Sequence, residues 1–169
     1  RLIFGNMKTE ELYTLFAKSS GISTDSRTIE KNQIFFALWG ENYNGNKFAA
    51  EAIEKGASWA VIDDPAFETD KTILVDDCLF ELQALATYHR KEIKASVIAI
   101  TGTNGKTTTK ELTASVLNQK FKLWATQGNL NNHIGVPLTL LSMNSSLEFG
   151  IVEMGANHPG EIAELCRIA

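Results

Sequence analysis

The apolar and polar residues of this chain follow a pattern that predicts short strands alternating with helices. Short apolar runs rich in β-branched and aromatic residues indicate strands, and apolar residues that recur every three or four positions indicate helices. Strands are predicted at residues 33–38, 59–62, 72–75, 97–101, 121–126 and 149–153. Helices are predicted at residues 7–18, 47–55, 77–91, 106–120 and 136–143, with a last one from about residue 161. This order is typical of an α/β fold with parallel sheets, because each helix returns the chain to start the next strand in the same direction.

The chain is predicted to contain two domains that meet at the start of the helix predicted at residues 77–91. Residues 1–76 form a small α/β domain in this interpretation, and residues 77–169 begin a second, parallel-sheet domain. The boundary lies there because the helix from Asp77 leads directly into the strand that precedes a glycine-bearing loop. Residues 39–46 are dense in turn formers and are predicted to be a loop.

Composition and charge narrow the classes of ligand. Of the 169 residues, 44% are hydrophobic and 21% are charged, which is typical of a globular protein and argues against disorder. A net charge of -4 provides no basic surface for nucleic acid or an anionic membrane, so a small ligand held by a local site is favoured. No segment approaches the roughly 20 apolar residues of a membrane span, and the first residues lack a signal-peptide pattern. We therefore expect a cytoplasmic monomer that binds no nucleic acid and has no membrane span.

The two cysteines and His89 are predicted to have structural roles and no catalytic or metal-binding ones. Cys78 and Cys166 stand far apart in apolar helical patterns and are predicted to be buried free thiols in a reducing compartment. His89 lies on or beside the apolar stripe of its helix and is predicted to be a structural histidine. The chain stops at Ala169 within a predicted helix, so we expect it to be a fragment of a longer enzyme.

The stretch at residues 96–109 (SVIAITGTNGKTTT) has the features of a phosphate-binding loop. The glycines let backbone N–H groups approach phosphate oxygens, Lys106 adds a point charge, and the Thr107 hydroxyl is of a type that can ligate Mg²⁺. The residues predicted to bind the nucleotide are Gly102, Thr103, Asn104, Gly105, Lys106, Thr107 and Thr108. The standard spacing requires a glycine five residues before Gly105, where this chain has Ile100, so a glycine turn without a ligand is the alternative. With this loop, residues 77–169 are predicted to be the first part of a parallel-sheet P-loop ATPase domain.

Glu153 ends an apolar strand and is the second candidate for the same site. The carboxyl ends of parallel strands meet at one edge of a sheet, where open α/β sheets bind ligands. Together with the Thr107 hydroxyl, Glu153 is predicted to hold Mg²⁺ through oxygen ligands. The alternative is a strand-end acid that is merely solvated.

Polar residues in three further stretches have two interpretations each. One loop carries Asn129, Asn131, Asn132 and His133, the next carries Asn157 and His158, and the first domain contains Thr24, Asp25, Ser26 and Arg27. Amides, imidazoles and an arginine suit phosphate or carboxylate groups of a substrate. The same residue types also serve as turn formers that bond to their own backbone.

Residues 101–108 (TGTNGKTT) resemble the shortened phosphate loop of the Mur ligases, the ATP-dependent amide-forming enzymes of peptidoglycan precursor synthesis. This resemblance accounts for the displaced first glycine. Further segments are similar to the branch of the family that joins D-alanyl-D-alanine to a UDP-N-acetylmuramoyl tripeptide, at residues 23–27, 34–40, 128–141 and 153–162. The resemblance covers nearly the whole chain in order.

The resemblance implies a ligase that uses ATP and Mg²⁺ and proceeds through an acyl phosphate, in the pathway that supports cell-wall biogenesis and cell division. It implies catalytic roles for Lys106, Glu153 and His158, with Thr107 and Glu153 as magnesium ligands. The residues that it implies as substrate contacts are Ser26 and Arg27 for the UDP-sugar, and Asn132 and Asn157 for phosphate or substrate. The partners implied are therefore UDP-N-acetylmuramoyl tripeptide and D-Ala-D-Ala.

The chain departs from the family pattern in two ways. Residues 44–46 are Asn-Gly-Asn where the family often has Asp-Gly-His, so no histidine is expected in the nucleotide-sugar pocket. A modified lysine that helps hold a second metal, and a carboxy-terminal domain, would follow Ala169, so this chain alone is expected to be inactive. Two alternatives stay open: the sister ligase that adds the third amino acid, and a nucleotide-binding module without ligase activity.

Overall fold

The computed structural model describes residues 7–40 and 42–169, and it divides into two compact units. The first unit extends to Leu85 and the second begins at Ala86, so the division falls inside one helix. The functional boundary predicted between residues 76 and 77 stays a prediction, because a division into compact units does not show which unit binds which ligand. Within the described residues, no helix is both long and apolar enough to cross a membrane.

The first unit is built on a parallel sheet, as the sequence pattern predicts. Its elements are α1 (Thr9–Phe16), β1 (Ile22–Ser23), β2 (Ile34–Phe36), β3 (Trp39–Gly40), β4 (Tyr43–Asn44), α2 (Ala49–Glu54), β5 (Trp59–Ile62), β6 (Thr72–Leu74) and the start of α3 (Cys78–Glu92). The sheet has the order β1-β2-β5-β6 with all neighbours parallel. Every residue of β2 is buried, as expected of an inner strand that is covered on both faces.

Two details of the first unit differ from the sequence prediction. The segment at residues 39–46 is not a plain loop, because β3 and β4 pair as a short antiparallel hairpin. The strand β1 was not predicted, since two residues carry no detectable period. The start of α3 does match the prediction, because the Asp77 carboxylate accepts a hydrogen bond from the Phe80 N–H at 2.8 Å and so caps the helix.

The second unit is a three-stranded parallel sheet with helices between its strands. Its elements are the end of α3, then β7 (Ser96–Ile100), α4 (Lys106–Leu117), β8 (Leu123–Ala125), α5 (Gly135–Leu141), β9 (Phe149–Glu153) and α6 (Glu161–Ile168). The strand order is β7-β9-β8, so the last strand in sequence is the central one. In the main sheet of each unit the strands are parallel, and helices alternate with strands along the chain. This arrangement confirms the predicted α/β fold class.

The register of the second sheet brings three loops to one edge. Ile100, the last residue of β7, pairs with Glu153, and Ala125 of β8 pairs with Ile151 two residues earlier on β9. The backbone continues this pairing beyond β7, since the Met154 N–H donates to the Ile100 carbonyl oxygen at 2.9 Å. The carboxyl ends of all three strands therefore lie side by side.

The two cysteines differ in exposure. Cys78 is buried, as predicted, but Cys166 is exposed. The prediction of two buried thiols is wrong for Cys166, because α6 buries its neighbours Leu165 and Ile168 while the next position along a helix turns about 100° away from that face. His89 is buried, and its Nε2 lies 2.9 Å from the Met143 carbonyl oxygen, which confirms the predicted structural histidine.

Candidate functional site

The glycine-bearing loop at residues 101–105 joins β7 to the start of α4. Gly105 has a φ of +76°, in the left-handed region that a glycine adopts without strain, and the helix begins at the next residue. The first turn of a helix leaves backbone N–H groups without helical acceptors, and this end carries the positive part of the helix dipole. The loop therefore has the backbone arrangement that binds phosphate groups.

The side chains of the predicted nucleotide residues lie at the surface of this loop. Lys106 is partly buried, and its ammonium group donates to the Gly102 carbonyl oxygen at 2.8 Å, which folds the side chain back over the loop. The remaining residues of the predicted set are exposed: Gly102, Thr103, Asn104, Gly105, Thr107 and Thr108. The loop is thus open to a ligand, and the individual contacts stay predictions.

Glu153 is buried at the end of the central strand, with a side chain that is only 2% exposed. Its Oε1 accepts a hydrogen bond from Asn131 Nδ2 at 2.9 Å, whereas its Oε2 is buried and has no hydrogen-bond partner among the described residues. The alternative of a solvated strand-end acid is therefore wrong. A buried carboxylate oxygen without a donor is unfavourable, so this atom marks a position that a cation would occupy with a gain in stability.

Lys110 lies beside Glu153 and was not among the site residues predicted from the sequence. Its side chain is 2% exposed, and its ammonium group donates to the Thr126 carbonyl oxygen at 2.7 Å. The same nitrogen lies 3.0 Å from Glu111 Oε1 and 4.0 Å from Glu153 Oε2. The available signal was its spacing, because a residue four positions after Lys106 lies on the same side of the helix.

In the loop before α5, the neighbouring residues Asn131 and Asn132 make different contacts. Asn132, the predicted substrate contact, accepts hydrogen bonds through Oδ1 from the N–H groups of Ile134 (3.1 Å) and Gly135 (2.8 Å), and so forms the turn that starts the helix. Asn131, which the sequence offered with the same two interpretations but with no assigned role, donates to Glu153 and also accepts the Gly155 N–H on its backbone carbonyl oxygen at 2.7 Å. A substrate contact of Asn132 stays a prediction.

The loop after β9 carries Asn157 and His158, and both are exposed. Their backbone N–H groups donate to Glu161 Oε2, at 2.6 and 3.2 Å, at the start of α6. These hydrogen bonds, with a smaller contribution from the imidazoles of His158 and His133, hold the pKa of Glu161 below its usual value. The loop is therefore ordered by backbone contacts, and the catalytic role of His158 and the substrate role of Asn157 stay predictions.

The first unit has a cavity of about 480 Å³ at the predicted nucleotide-sugar residues. Its wall combines polar and aromatic side chains, from Thr24, Asp25, Ser26, Arg27, Phe35, Tyr43, Gly45 and Phe48. Ser26 is buried, and the side chain of Arg27 is 83% exposed. The structure thus brings both predicted residues to one cavity.

Arg27 forms a two-point ion pair within this cavity wall. Its Nε lies 2.9 Å from Asp25 Oδ1 and its Nη2 lies 2.6 Å from Asp25 Oδ2. These hydrogen bonds lower the pKa of Asp25 to about 2. The pair orients the guanidinium group and leaves its outer face exposed to a ligand.

Asn46 stands where the family often has a histidine, and its contacts are structural. It is fully buried, its amide group donates to Asn44 Oδ1 and Asp63 Oδ1, and its Oδ1 accepts the N–H groups of Asp63 and Asp64. Asp63 also accepts from Trp39 Nε1 at 2.8 Å and from the Cys78 N–H at 3.1 Å. Burial raises the pKa of Asp63, but these hydrogen bonds together outweigh burial and the net pKa lies below the usual value.

A metal site made only of protein side chains is not found in the described residues. No group of three or more His, Cys, Asp or Glu side chains there is arranged to hold a metal ion. The candidate site at the loop therefore consists of one buried carboxylate, hydroxyl groups of α4 and the backbone N–H groups of its first turn.

Comparison with known proteins gives consistent matches along the chain. The model for the Mur ligase family, catalytic domain, matches residues 18–106, and the model for the Mur ligase middle domain matches residues 100–169. The UDP-N-acetylmuramoyl-tripeptide--D-alanyl-D-alanine ligase of Bacillus subtilis (strain 168) is 43% identical over 153 residues, which are 88% of this chain and 33% of that protein. The chain thus spans about a third of the length of this relative.

Solved structures of MurF ligases have a fold similar to that of this chain. A crystal structure of MurF from Acinetobacter baumannii matches with a TM-score of 0.80 and 38% identity, over 87% of this chain and 33% of that one. The MurF ligase from Thermotoga maritima in complex with ADP matches with a TM-score of 0.81 and 32% identity, over 92% of this chain and 36% of that one.

Proposed function

Because this chain belongs to the Mur ligase family, we propose that the protein containing it joins D-alanyl-D-alanine to a UDP-N-acetylmuramoyl tripeptide with the use of ATP. The second unit binds ATP in this proposal, and the first unit binds the UDP end of the muramoyl substrate. The choice of substrates is supported by the relative from Bacillus subtilis, whose name states this reaction. The ADP complex of the Thermotoga maritima ligase supports nucleotide binding.

The observation that carries the proposal is the adjacency of the phosphate loop and Glu153. The residue before the loop, Ile100, pairs with Glu153 across neighbouring parallel strands. An anion-binding helix start and a buried carboxylate with a free oxygen therefore share one edge of the sheet. Phosphoryl transfer needs this combination, because the reaction is accelerated mainly by positioning and by compensation of charge.

The residues at this edge fit a magnesium ion. Glu153 Oε2 is a buried carboxylate oxygen without a hydrogen bond, and Thr107 in the first turn of α4 supplies a hydroxyl group. Magnesium is commonly held by one or two protein oxygen ligands together with phosphate oxygens and water. A magnesium ion bound here would neutralise charge on the phosphoryl group that is transferred.

The chemistry explains why a ligase needs this site. A carboxylate and an amine do not condense directly, because the carboxylate oxygen is a poor leaving group. Transfer of the ATP γ-phosphoryl group to the carboxylate of the tripeptide gives an acyl phosphate and ADP. The amino group of D-Ala-D-Ala then attacks the acyl carbon, the amide bond forms and phosphate leaves. In this proposal Lys106 and the N–H groups of the loop bind the β and γ phosphates.

The remaining site residues enter the proposal as substrate contacts. Ser26 and Arg27 bind the UDP end, which is supported by their place in the wall of the first-unit cavity. Asn132 and Asn157 contact phosphate or substrate, and His158 acts near the reacting groups. We propose a cytoplasmic location as well, because ATP and nucleotide-linked sugars are the substrates.

Release of phosphate by the complete protein tests the proposal. We expect phosphate from ATP when D-Ala-D-Ala and the UDP-muramoyl tripeptide are both supplied, and none with a free diamino acid and the UDP-muramoyl dipeptide. The reverse result would assign the protein to the sister ligase that adds the third amino acid. ATP binding without phosphate release under either condition would favour a nucleotide-binding module.

Replacement of Lys106 tests the nucleotide half of the proposal. Lys106→Ala should lower turnover at least about 100-fold, because the charge on the terminal phosphates is lost. Lys122→Ala is the matched control, since Lys122 is an exposed lysine at the opposite end of the sheet, two residues before Trp124 of β8. Near-normal turnover of Lys106→Ala would contradict the role of the loop.

A further inference from the structure

Lys110 is a buried cation next to the proposed magnesium ligand, and no step of the proposed reaction uses it. Its side chain and that of Glu153 are each 2% exposed. Lysine is rarely buried this far unless its charge is compensated. The surroundings of the ammonium group therefore show what compensates it.

The ammonium group is fixed by two hydrogen-bond acceptors other than Glu153. It lies 2.7 Å from the Thr126 carbonyl oxygen, at the end of β8, and 3.0 Å from Glu111 Oε1 on its own helix. The distance to Glu153 Oε2 is 4.0 Å, which is too long for a hydrogen bond and short enough for a strong charge interaction. The lysine is thus held close to the carboxylate without occupying its free oxygen.

The Glu153 carboxylate needs this charge when no metal is present. Its only hydrogen bond in the described structure is from Asn131 to Oε1, while Oε2 has none. A buried carboxylate with one neutral donor is strongly unfavourable unless a cation lies nearby. Among the described residues, Lys110 supplies such a cation, 4.0 Å from Oε2.

We propose that Lys110 is a positioning residue that serves as the resident counter-charge of Glu153. It holds the carboxylate in place while the metal position is empty, and it repels a divalent cation once that cation binds to Oε2. This inference rests on the proposed function, in which Glu153 is a magnesium ligand. The repulsion weakens metal binding, so that the ion enters together with nucleotide phosphates and leaves with them.

The sign of one measurement separates this role from a merely structural one. If Lys110 only supported the packing of α4, its removal would loosen the site and weaken the binding of a divalent cation. If it is a counter-charge, its removal takes a like charge away from the metal and strengthens binding, by about threefold or more at this distance. The two roles therefore predict opposite changes.

Mn²⁺ is the probe, and its free concentration is followed by electron paramagnetic resonance with the complete protein and saturating ADP. Lys110→Met should tighten Mn²⁺ binding at least about threefold. Lys110→Arg, which keeps the charge, and Lys122→Met, which removes an exposed lysine, should both bind Mn²⁺ like the unsubstituted protein. Lys110→Gln is a second neutral variant that keeps a donor for the Thr126 carbonyl oxygen, and it carries the test if Lys110→Met does not fold.

The Glu153→Gln background shows whether Lys110 acts through Glu153. In that background Lys110→Met should change Mn²⁺ affinity less than about 1.5-fold, because the cation is then no longer held at Oε2, 4.0 Å from the ammonium group. Unchanged or weaker Mn²⁺ binding in both neutral variants would overturn the inference. So would an equal gain of affinity with and without Glu153.

The same data separate this inference from the proposed function. If Glu153→Gln alone weakens Mn²⁺ binding while the neutral Lys110 variants do not strengthen it, Glu153 remains a metal ligand and only the counter-charge role is wrong. If Glu153→Gln leaves Mn²⁺ binding unchanged, the proposed metal role of Glu153 is wrong, and the inference about Lys110 is overturned with it.

Discussion

Two carboxylates occupy equivalent positions in the two units, and their contacts differ. Asp63 directly follows β5 in the first sheet, and Glu153 ends β9 in the second. Both therefore lie at the carboxyl ends of parallel strands, where α/β sheets place their binding sites. Asp63 accepts hydrogen bonds on both oxygens, whereas Glu153 accepts one on Oε1 and none on Oε2.

A strand-end acid is structural when the protein supplies donors to both of its oxygens, and it is available to a ligand when one oxygen has no donor. The donors on Asp63 come from Trp39, Asn46 and the start of α3, so the carboxylate joins three segments of the first unit. Both of its oxygens therefore accept hydrogen bonds from the protein. Glu153 keeps one oxygen unused at the cost of an unfavourable burial, which a structural role alone does not explain.

Among changes to the two carboxylates and His89, the largest effect is expected from Glu153→Gln. This change removes the charge and keeps the shape, so phosphoryl transfer should slow about 100-fold at fixed Mg²⁺, and the Mg²⁺ concentration needed for half-maximal turnover should rise. Lys110 keeps the Thr126 carbonyl oxygen and Glu111 as partners, so we expect the variant to fold. The measurement is phosphate release by the complete protein across a Mg²⁺ titration. A titration curve that matches the unsubstituted protein would remove Glu153 from the metal site.

The matched change in the first unit is Asp63→Asn, and its effect should fall on stability. An asparagine retains one oxygen for Trp39 and Asn46, but its amide group then faces the Cys78 N–H, donor against donor. We expect a loss of about 1–2 kcal/mol in the free energy of unfolding, measured by urea denaturation. Turnover at a temperature where the variant is folded should stay within about twofold of normal.

The outcome of this second change decides whether the comparison holds. Turnover that falls as far as in Glu153→Gln, with unfolding unchanged, would mean that Asp63 also acts on a ligand. The number of hydrogen bonds that a carboxylate accepts from the protein would then not predict whether it binds a ligand. A stability loss with normal turnover would support the distinction.

Strands with a clear apolar run, and the phosphate loop, were predictable from the sequence because their signals lie in a few consecutive residues. β5 and β9 match their predicted bounds because each is an apolar run that polar or turn-forming residues end on the carboxyl side. The phosphate loop was predictable because its residue types and its place between a strand and a helix are both local features. The hairpin of β3 and β4 was not, since two-residue strands have no period to detect.

The contacts of the candidate site were less predictable, because they join residues that are distant in sequence. The buried ammonium group of Lys110 lies next to the Thr126 carbonyl oxygen and Glu153, which are 16 and 43 positions later in the sequence. No local pattern states which lysine of a helix will meet such partners. Asn131 and Asn132 are adjacent and chemically identical, and only the fold decides that the first reaches Glu153 while the second caps a turn.

The smallest effect is expected at His89, a satisfied buried group in the same unit as Glu153. Burial lowers the pKa of His89, and the hydrogen bond with the Met143 carbonyl oxygen offsets this only in part. Below the ordinary pKa of about 6.5 the unfolded chain takes up a proton that the folded protein resists. The stability from His89 is therefore complete above that pH and falls as the pH decreases toward the lowered pKa of the folded state.

His89→Gln tests whether a satisfied group of the second unit is also only structural. The unsubstituted protein should lose stability between pH 7 and pH 5 more steeply than the variant, by less than about 1.5 kcal/mol, measured by urea unfolding at each pH. Phosphate release at pH 7.5 should be similar in the two proteins, because the imidazole is hydrogen-bonded to the Met143 carbonyl oxygen, which follows α5 and is not part of the candidate site. Parallel pH profiles of stability would contradict the assigned cause. A large fall in turnover would contradict the distinction between structural and ligand-binding groups, because a buried group whose hydrogen bond is made would then be needed for the reaction.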